Sequence, residues 1–358
     1  MCLFVGSYDI ERQAMLKKVL EQGEISVYEC IEKISGVFSF LKANFKMYRC
    51  HQKLDYDVMI IPWRGLFTFP LAKLISKKPI VFMPTISIYN TLIEDRKKFS
   101  AKHPIAKIIH FIEKVACSHS DMIISESNAQ NDFLVREYGI SKKKCRAVVH
   151  SADESVFKPF KPKEGTDVFQ VLFFGTFTPH HGTETIIDAA NVLREHKDIK
   201  FVLCGNGMMK NNCEKKANEY NLTNIKFTGM IDKSKLISII SQSDICLGIF
   251  GTSGKAKDSI TNKVCQILAC QKPIITMDSK AMKEIKLENN KNCILVLSGS
   301  ADSLANAILK LKNDKNLRDL IAINGYKTYE KEMSMQKTSE KLGNFLKEVI
   351  AWKILTSR

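Results

Sequence analysis

The sequence predicts an α/β protein built from two doubly wound, Rossmann-like domains facing each other. Three observations carry that prediction. Strand-like apolar runs alternate with helical runs almost from end to end. The strand runs are continuously apolar, as in parallel sheets covered on both faces. A stretch near the middle, Val156–Gly165, holds two prolines, a glycine and lysines and interrupts the alternation.

In the first half, Cys2–Val5 is a short apolar strand closed by Gly6. Residues 9–22 follow as a helix, with Ala14, Leu16 and Leu20 among charges. Asp57–Ile61 and Pro79–Phe82 read as buried strands, and Ile105–Ala116 as a helix with a full apolar stripe. Met122–Ile124 is a strand that leads through Ser125–Asn128 into a helix over about 129–138, and Ala147–Val149 closes this half. Beyond the linker, strands are expected at 169–174, 200–204, 225–228, 245–249, 273–276 and 293–297. Helices are expected at 183–196, 211–220, 233–242, 261–270 and 301–312, followed by a strandless helical tail over 315–356. Ligands of such sheets bind beyond the carboxyl ends of the strands, here in the cleft between domains.

The length of 358 residues suits two ordinary domains, and a 45% hydrophobic, 26% charged composition suits a globular chain. No run of about 18 uncharged apolar residues is present, so no membrane-spanning helix is expected. The start, Met1–Gly6, lacks a basic segment and a long apolar core, so no secretory signal is expected. The 11 cysteines form no CxxC pair and no Cys/His cluster with metal spacing, which points to reduced, buried thiols of a cytoplasmic protein and to no metal. The net charge of +16 is spread over both halves and mixed with acids. No basic tail, zinc finger or helix-turn-helix accompanies it, so no nucleic-acid partner is expected. Basic residues beside apolar ones, at Lys73–Lys78 and Arg96–Phe99 with Lys102 and Lys107, read either as solvated helix faces or as contacts to an anionic membrane surface.

Three constellations could carry chemistry. The loop Gly175–Gly182 follows a buried strand and opens a helix. A helix start offers free backbone N–H groups to a phosphate, Gly182 permits close approach, and His181 can donate to a phosphate. A plain strand-to-helix turn explains the same residues equally well. Cys204–Gly207 repeats the arrangement with Gly205 and Gly207, and an ordinary turn again competes. The third runs from Leu247 to Thr276: a strand, a loop rich in glycine and lysine through Lys255 to Asp258, then a helix from Thr261 to Cys270. Lys263 and Gln266 lie three apart, so they project together, with Asn262 beside them. An ammonium suits a diphosphate and a side-chain amide suits hydroxyls. A lysine-decorated amphipathic helix is the competing reading.

Together, Gly175–Gly182 and Gly248–Thr276 resemble the family 4 glycosyltransferases of GT-B architecture, in particular a bacterial or archaeal branch with a G-T-F-x-P-x-H-G run and an N-K-V-x-Q-x-L-A run. Pro79–Phe82, Asp121–Ser125 and His150–Pro159 follow that family's order in the first half. The resemblance implies an acceptor-binding domain over 1–160, joined by a helix crossing back over 338–358, and a nucleotide-sugar domain over 165–337. It implies a retaining, metal-independent transfer, expected to go to a saccharide in cell-surface glycan synthesis, and the basic surface fits a lipid-linked saccharide acceptor at the inner face of the cell membrane. No cofactor is implied beyond the donor itself. His181, Lys263 and Lys255 would act on the diphosphate. Gly175, Thr176, Gly182, Gly205, Gly207, Asn262 and Gln266 would line the donor, and Gly6 and Ser7 the acceptor side. The sequence departs from the family at Thr176, where an arginine is common, at Gln266, where a glutamate is common, and at Met83–Ser87, which lacks a histidine. Those departures keep two alternatives open: a catalytically silent scaffold and a sugar-nucleotide epimerase.

Overall fold

The computed structural model describes residues 1–7, 10–32, 36–84, 87–160 and 167–356. Contacts divide the chain into a first unit, Met1–Val149 with Met335–Arg358, and a second, His150–Ser334.

The first unit begins β1 (Cys2–Ser7), α1 (Ile10–Gln22), β2 (Val27–Glu32), α2 (Val37–Lys53), β3 (Val58–Pro62) and α3 (Phe69–Ile75). It continues β4 (Ile80–Met83), α4 (Pro104–His119), β5 (Met122–Ser125), α5 (Asn128–Tyr138) and β6 (Cys145–Ala147). All pairings are parallel, in the order β2-β1-β3-β4-β5-β6. The direction of winding reverses beside β1, so Gly6 and Ser7 stand at the switch point. β3, β4 and β5 are buried along their whole length, which explains their unbroken apolar runs.

Two apolar layers sandwich this sheet. Met47, Phe69, Ala116 and Phe133 bring α2 to α5 onto one face. Val19 and Leu20 of α1, with Leu342, Leu346 and Val349 of the closing helix Met335–Thr356, cover the other. Local chemistry sets the helix ends. Ser127 Oγ accepts from Gln130 N at 3.0 Å to start α5, and Gly139 ends it at φ 67°. Three elements, the short α3 among them, escape the sequence reading. β2 is a half-exposed edge strand with glutamates at Glu29 and Glu32, and α2 carries apolar residues on both its faces.

The second unit runs β7 (Phe169–Phe174), α6 (Thr183–Val192), β8 (Ile199–Cys204), α7 (Lys210–Glu219), β9 (Ile225–Gly229), α8 (Lys233–Gln242) and β10 (Ile245–Leu247). It closes with α9 (Gly254–Asp258), α10 (Asn262–Ala269), β11 (Ile274–Met277), α11 (Lys280–Glu284), β12 (Ile294–Val296), α12 (Ala301–Asn313) and α13 (Lys315–Glu332). The parallel order is β12-β11-β10-β7-β8-β9, the order of dinucleotide-binding sheets. Its switch point lies between β7 and β10. The turns that leave those two strands are the Gly175–Gly182 loop and the glycine-rich loop from Gly248.

Element limits shift where a cap or turn decides them. The helix expected over 183–196 stops at Val192, because Arg194 N and His196 N turn back to Asn191 O and Leu193 O. The strand expected over 245–249 stops at Leu247, although Gly248 N still bonds Ile275 O. The strand expected over Ala147–Val149 lies earlier, at Cys145–Ala147, because the register pairs Ile123 with Cys145.

Candidate functional site

Three glycine-bearing turns meet at the carboxyl edge of the second sheet. A Cβ on Gly205 would stand 1.9 Å from Gly175 O, and one on Gly207 would stand 2.5 Å from Phe177 O. A Cβ on Gly182 would stand 2.4 Å from the carbonyl carbon of Phe250. Backbone bonds lock the contacts: Gly175 N to Cys204 O at 2.9 Å, Phe177 N to Asn206 O at 2.9 Å and Phe250 N to His181 O at 3.1 Å. These glycines were expected to admit a ligand to the backbone. Gly182, Gly205 and Gly207 instead admit each other's turns, at φ 64°, 138° and 152°. Gly175, at φ 137°, has only His181 and Lys263 side-chain atoms near its missing Cβ, at 3.5 Å and beyond. Thr176 beside it is exposed.

Two basic side chains lie beneath that turn. Lys263 is 5% exposed and His181 8% exposed. Lys263 Nζ stands 3.7 Å from the centroid of the Phe173 ring, and the His181 ring meets Phe173 edge-on at 5.9 Å. Lys263 is the second residue of α10, whose apolar neighbours Val264, Ile267 and Leu268 bury that helix and carry the lysine inward. Its Nζ has no hydrogen-bond partner, nor have Thr261 Oγ1 and Asn262 Oδ1 at the same helix start. Such groups are normally satisfied when buried. Burial holds the Lys263 ammonium well below its ordinary range.

His181 is depressed as well, first by burial and then by the charge of Lys263. Its Nδ1 bonds Thr176 O. Because a carbonyl only accepts, Nδ1 carries the proton, and the neutral ring presents Nε2 as an acceptor. With Nδ1 so engaged, His181 can donate to a phosphate only from Nε2, in the imidazolium form.

Lys255 is placed differently from expectation. It was assigned to a mobile loop. It sits in the single turn α9, whose start is capped by Ser253 Oγ accepting from Ala256 N at 3.2 Å, and its side chain is buried. Ser253 before Gly254 was the signal for that cap. Asn262 and Gln266 are half-buried on α10, and Thr261 joins the unpartnered group unforeseen.

In the first unit, Gly6 and Ser7 end β1. Of the segment Met83–Ser87, residues 85 and 86 lie outside the described residues. The following turn is organised by Glu113, which sequence reasoning missed inside an apolar helix. Its buried carboxylate accepts from Ser87 Oγ at 2.9 Å, Ile88 N at 2.7 Å, Tyr89 N at 2.9 Å and Tyr138 OH at 2.8 Å. Among the described residues, no three His, Cys, Asp or Glu side chains cluster as a metal site, and no helix is long and apolar enough to cross a membrane.

Two parallel α/β units, the second with the strand order of dinucleotide-binding sheets and a switch point lined by glycine turns and the buried bases His181 and Lys263, define the class of fold. Residues 155–328, within the second unit, match the family described as glycosyl transferases group 1. An uncharacterized glycosyltransferase of Methanocaldococcus jannaschii is 24% identical over 338 residues, which cover 88% of this chain and 75% of that protein. A chitobiosyldiphosphodolichol beta-mannosyltransferase of Debaryomyces hansenii is 22% identical over 67% of this chain, which spans 55% of that enzyme. Among solved structures, sucrose-phosphate synthase from Thermosynechococcus elongatus superposes with a TM-score of 0.78 at 16% identity, covering 98% of both chains. The Anabaena protein HepE, in complex with UDP and glucose, superposes with a TM-score of 0.75 at 16% identity, covering 97% of this chain and 99% of its own. The fold is therefore that of GT-B glycosyltransferases, and fold and domain together support glycosyltransferase activity of the group 1 kind.

Proposed function

We propose that the protein is a retaining, metal-independent glycosyltransferase of the family 4 kind. It moves a sugar from a nucleotide-sugar donor to a saccharide or lipid-linked saccharide in cell-surface glycan synthesis, at the cytoplasmic face of the membrane. The donor lies at the carboxyl edge of the second unit's sheet, and the acceptor is taken by the first unit, with Gly6 and Ser7 beside it. The observation that carries the donor site is the buried Lys263 ammonium, without a hydrogen-bond partner, beneath the Gly175–Gly182 turn. A buried, unpartnered charge is unfavourable by on the order of several kcal/mol. A diphosphate at that turn offsets it.

Transfer breaks the bond between the anomeric carbon and the diphosphate oxygen, and the electron pair leaves on the diphosphate. Catalysis then rests on positive charge already aimed at the leaving group. Lys263 supplies one charge. A bound diphosphate raises the His181 pKa, so the imidazolium forms, keeps Nδ1–H on Thr176 O and turns Nε2–H toward the phosphate. Lys255 adds a further ammonium from α9, and the α6 start adds backbone N–H groups. Thr261, Asn262 and Gln266 bond hydroxyls of ribose or sugar. The acceptor hydroxyl gives its proton to the departing phosphate as it attacks from the same face.

Calorimetric titration with UDP-, GDP- and ADP-sugars, followed by turnover with a saccharide acceptor, tests this reading. Saturable binding of one donor and transfer with retained configuration support it. Binding without transfer to any acceptor supports the silent scaffold, which Thr176 and Gln266 favour by standing where arginine and glutamate are common. An inverted product contradicts the retaining step.

A further inference from the structure

The helices α2, α3 and α4 lie side by side and cover one face of the first sheet. Each buries one stripe, through Ala43 and Met47, Phe69 and Ala72, and Ala106 and Ile109. α2 and α4 each also expose a second apolar stripe to solvent, and α3 between them exposes Leu74. On α2, Phe38, Leu41, Phe45 and Tyr48 recur at helical spacing, and Phe38 is 89% exposed. On α3, Leu74 is 82% exposed, and on α4 Ile108 adjoins Phe111 at 65%. Isolated exposed leucines are ordinary, but a run across three adjacent helices marks an interaction surface.

The charge on the same helices has one sign. Their sequences hold Lys42, Lys46, Arg49, Lys53, Lys73, Lys107 and Lys114 against a single carboxylate, Glu113. Glu113 is buried and directed into the first unit, where it holds the Ser87–Tyr89 turn. Exposed Arg96, Lys97 and Lys98 precede α4. Glu32 and Asp55 at the border are engaged by Lys42 and Lys78. A face of protruding aromatic and aliphatic side chains among lysines fits the boundary of an anionic bilayer, where rings and methyl groups enter the acyl edge and ammonium groups meet phosphates.

We propose that the outer face of α2, α3 and α4 docks on an anionic phospholipid surface, with Phe38, Phe45, Leu74 and Phe111 inserted. This deepens the reading of a lipid-linked acceptor, because it names the surface by which the first unit would meet lipid. The docking physics does not depend on which donor the second unit takes.

The test is co-sedimentation of the full chain with vesicles of phosphatidylcholine alone and with about one third phosphatidylglycerol. The expected result is binding to the anionic vesicles only, weakened at high salt. The pair Phe38→Ser/Phe45→Ser and the pair Lys107→Glu/Lys114→Glu each lower vesicle affinity at least tenfold. Met230→Ser, an exposed apolar residue of the second unit, leaves it unchanged. Thermal melting and nucleotide-sugar titration of each variant confirm that fold and donor site persist. Equal vesicle binding by the serine pair, or none by the wild type, overturns the proposal. A shift from dimer to monomer in the serine pair without vesicles also overturns it, because the face would then be a subunit interface. Failure of donor binding with vesicle binding intact counts against the donor reading alone.

Discussion

Lys263 Nζ sits 3.7 Å above the ring of Phe173, with no hydrogen-bond partner and the depressed imidazole of His181 nearby. A ring face offers a buried ammonium about 2 kcal/mol or more and no hydrogen bond. The arrangement places a buried amine, its pKa pushed well down, beneath the turn where the diphosphate is proposed to bind. Lys263→Met, which keeps the stem and removes the charge, is expected to raise apo stability by about 1–3 kcal/mol. The same variant is expected to lose at least tenfold in turnover. Chemical denaturation together with initial rates measures both. Lower stability with unchanged turnover would make Lys263 a structural residue.

The two depressed bases give binding a proton signature. A diphosphate favours the charged forms of both, so donor binding takes up protons wherever either group is neutral in the free protein. Affinity therefore falls as pH rises through the free-state pKa values. Calorimetry in two buffers of different ionisation enthalpy reads the uptake directly, and His181→Gln reduces it. Identical apparent enthalpies in both buffers would show that neither base titrates on binding.

His181 also sets the pH dependence of the unliganded fold. Its folded pKa lies below the unfolded value near 6.5. Below 6.5 the unfolded chain therefore binds a proton that the folded chain refuses, and stability falls as pH falls. Melting the wild type and His181→Gln from neutral to mildly acidic pH tests the sign: the variant loses less stability. A wild type that gains stability on acidification relative to the variant contradicts it.

The glycine turns predict unequal tolerance. Gly205→Ala places a methyl 1.9 Å from Gly175 O at φ 138°, so the two turns must separate. A loss of about 3 kcal/mol or more is expected, with weaker donor binding. Gly139→Ala meets no atom within 4 Å at φ 67°, so it carries only the left-handed backbone term of about 1 kcal/mol. Denaturation midpoints of the two variants give the comparison.

Much of the fold is legible in the sequence, because parallel strands buried on both faces, such as Val58–Pro62 and Ile80–Met83, leave unbroken apolar runs. β2 is not, because one residue of its six is buried and two are glutamates, so no continuous apolar run marks it. α2 is not, because Phe38 and Phe45 on its outer face blur the helical period set by Ala43 and Met47. The site is legible as segments and not as geometry. Residues 181 and 263 are far apart in the chain and converge only through the order of β7 and β10 in the sheet. That the glycines face neighbouring backbones depends on tertiary contacts that one sequence does not display, whereas the cap before Lys255 is local and was signalled by Ser253. Glu113 hides for the same reason: its four donors come from two distant segments.

The account rests most heavily on the second unit holding a nucleotide-sugar diphosphate over Lys263. Parallel calorimetric titrations of UDP-, GDP- and ADP-sugars into the wild type and Lys263→Met test it most directly. The account predicts saturable binding of one donor by the wild type and at least tenfold weaker binding by a variant that remains folded. Equal affinity in the two proteins, or no binding of any donor by the wild type, would contradict it.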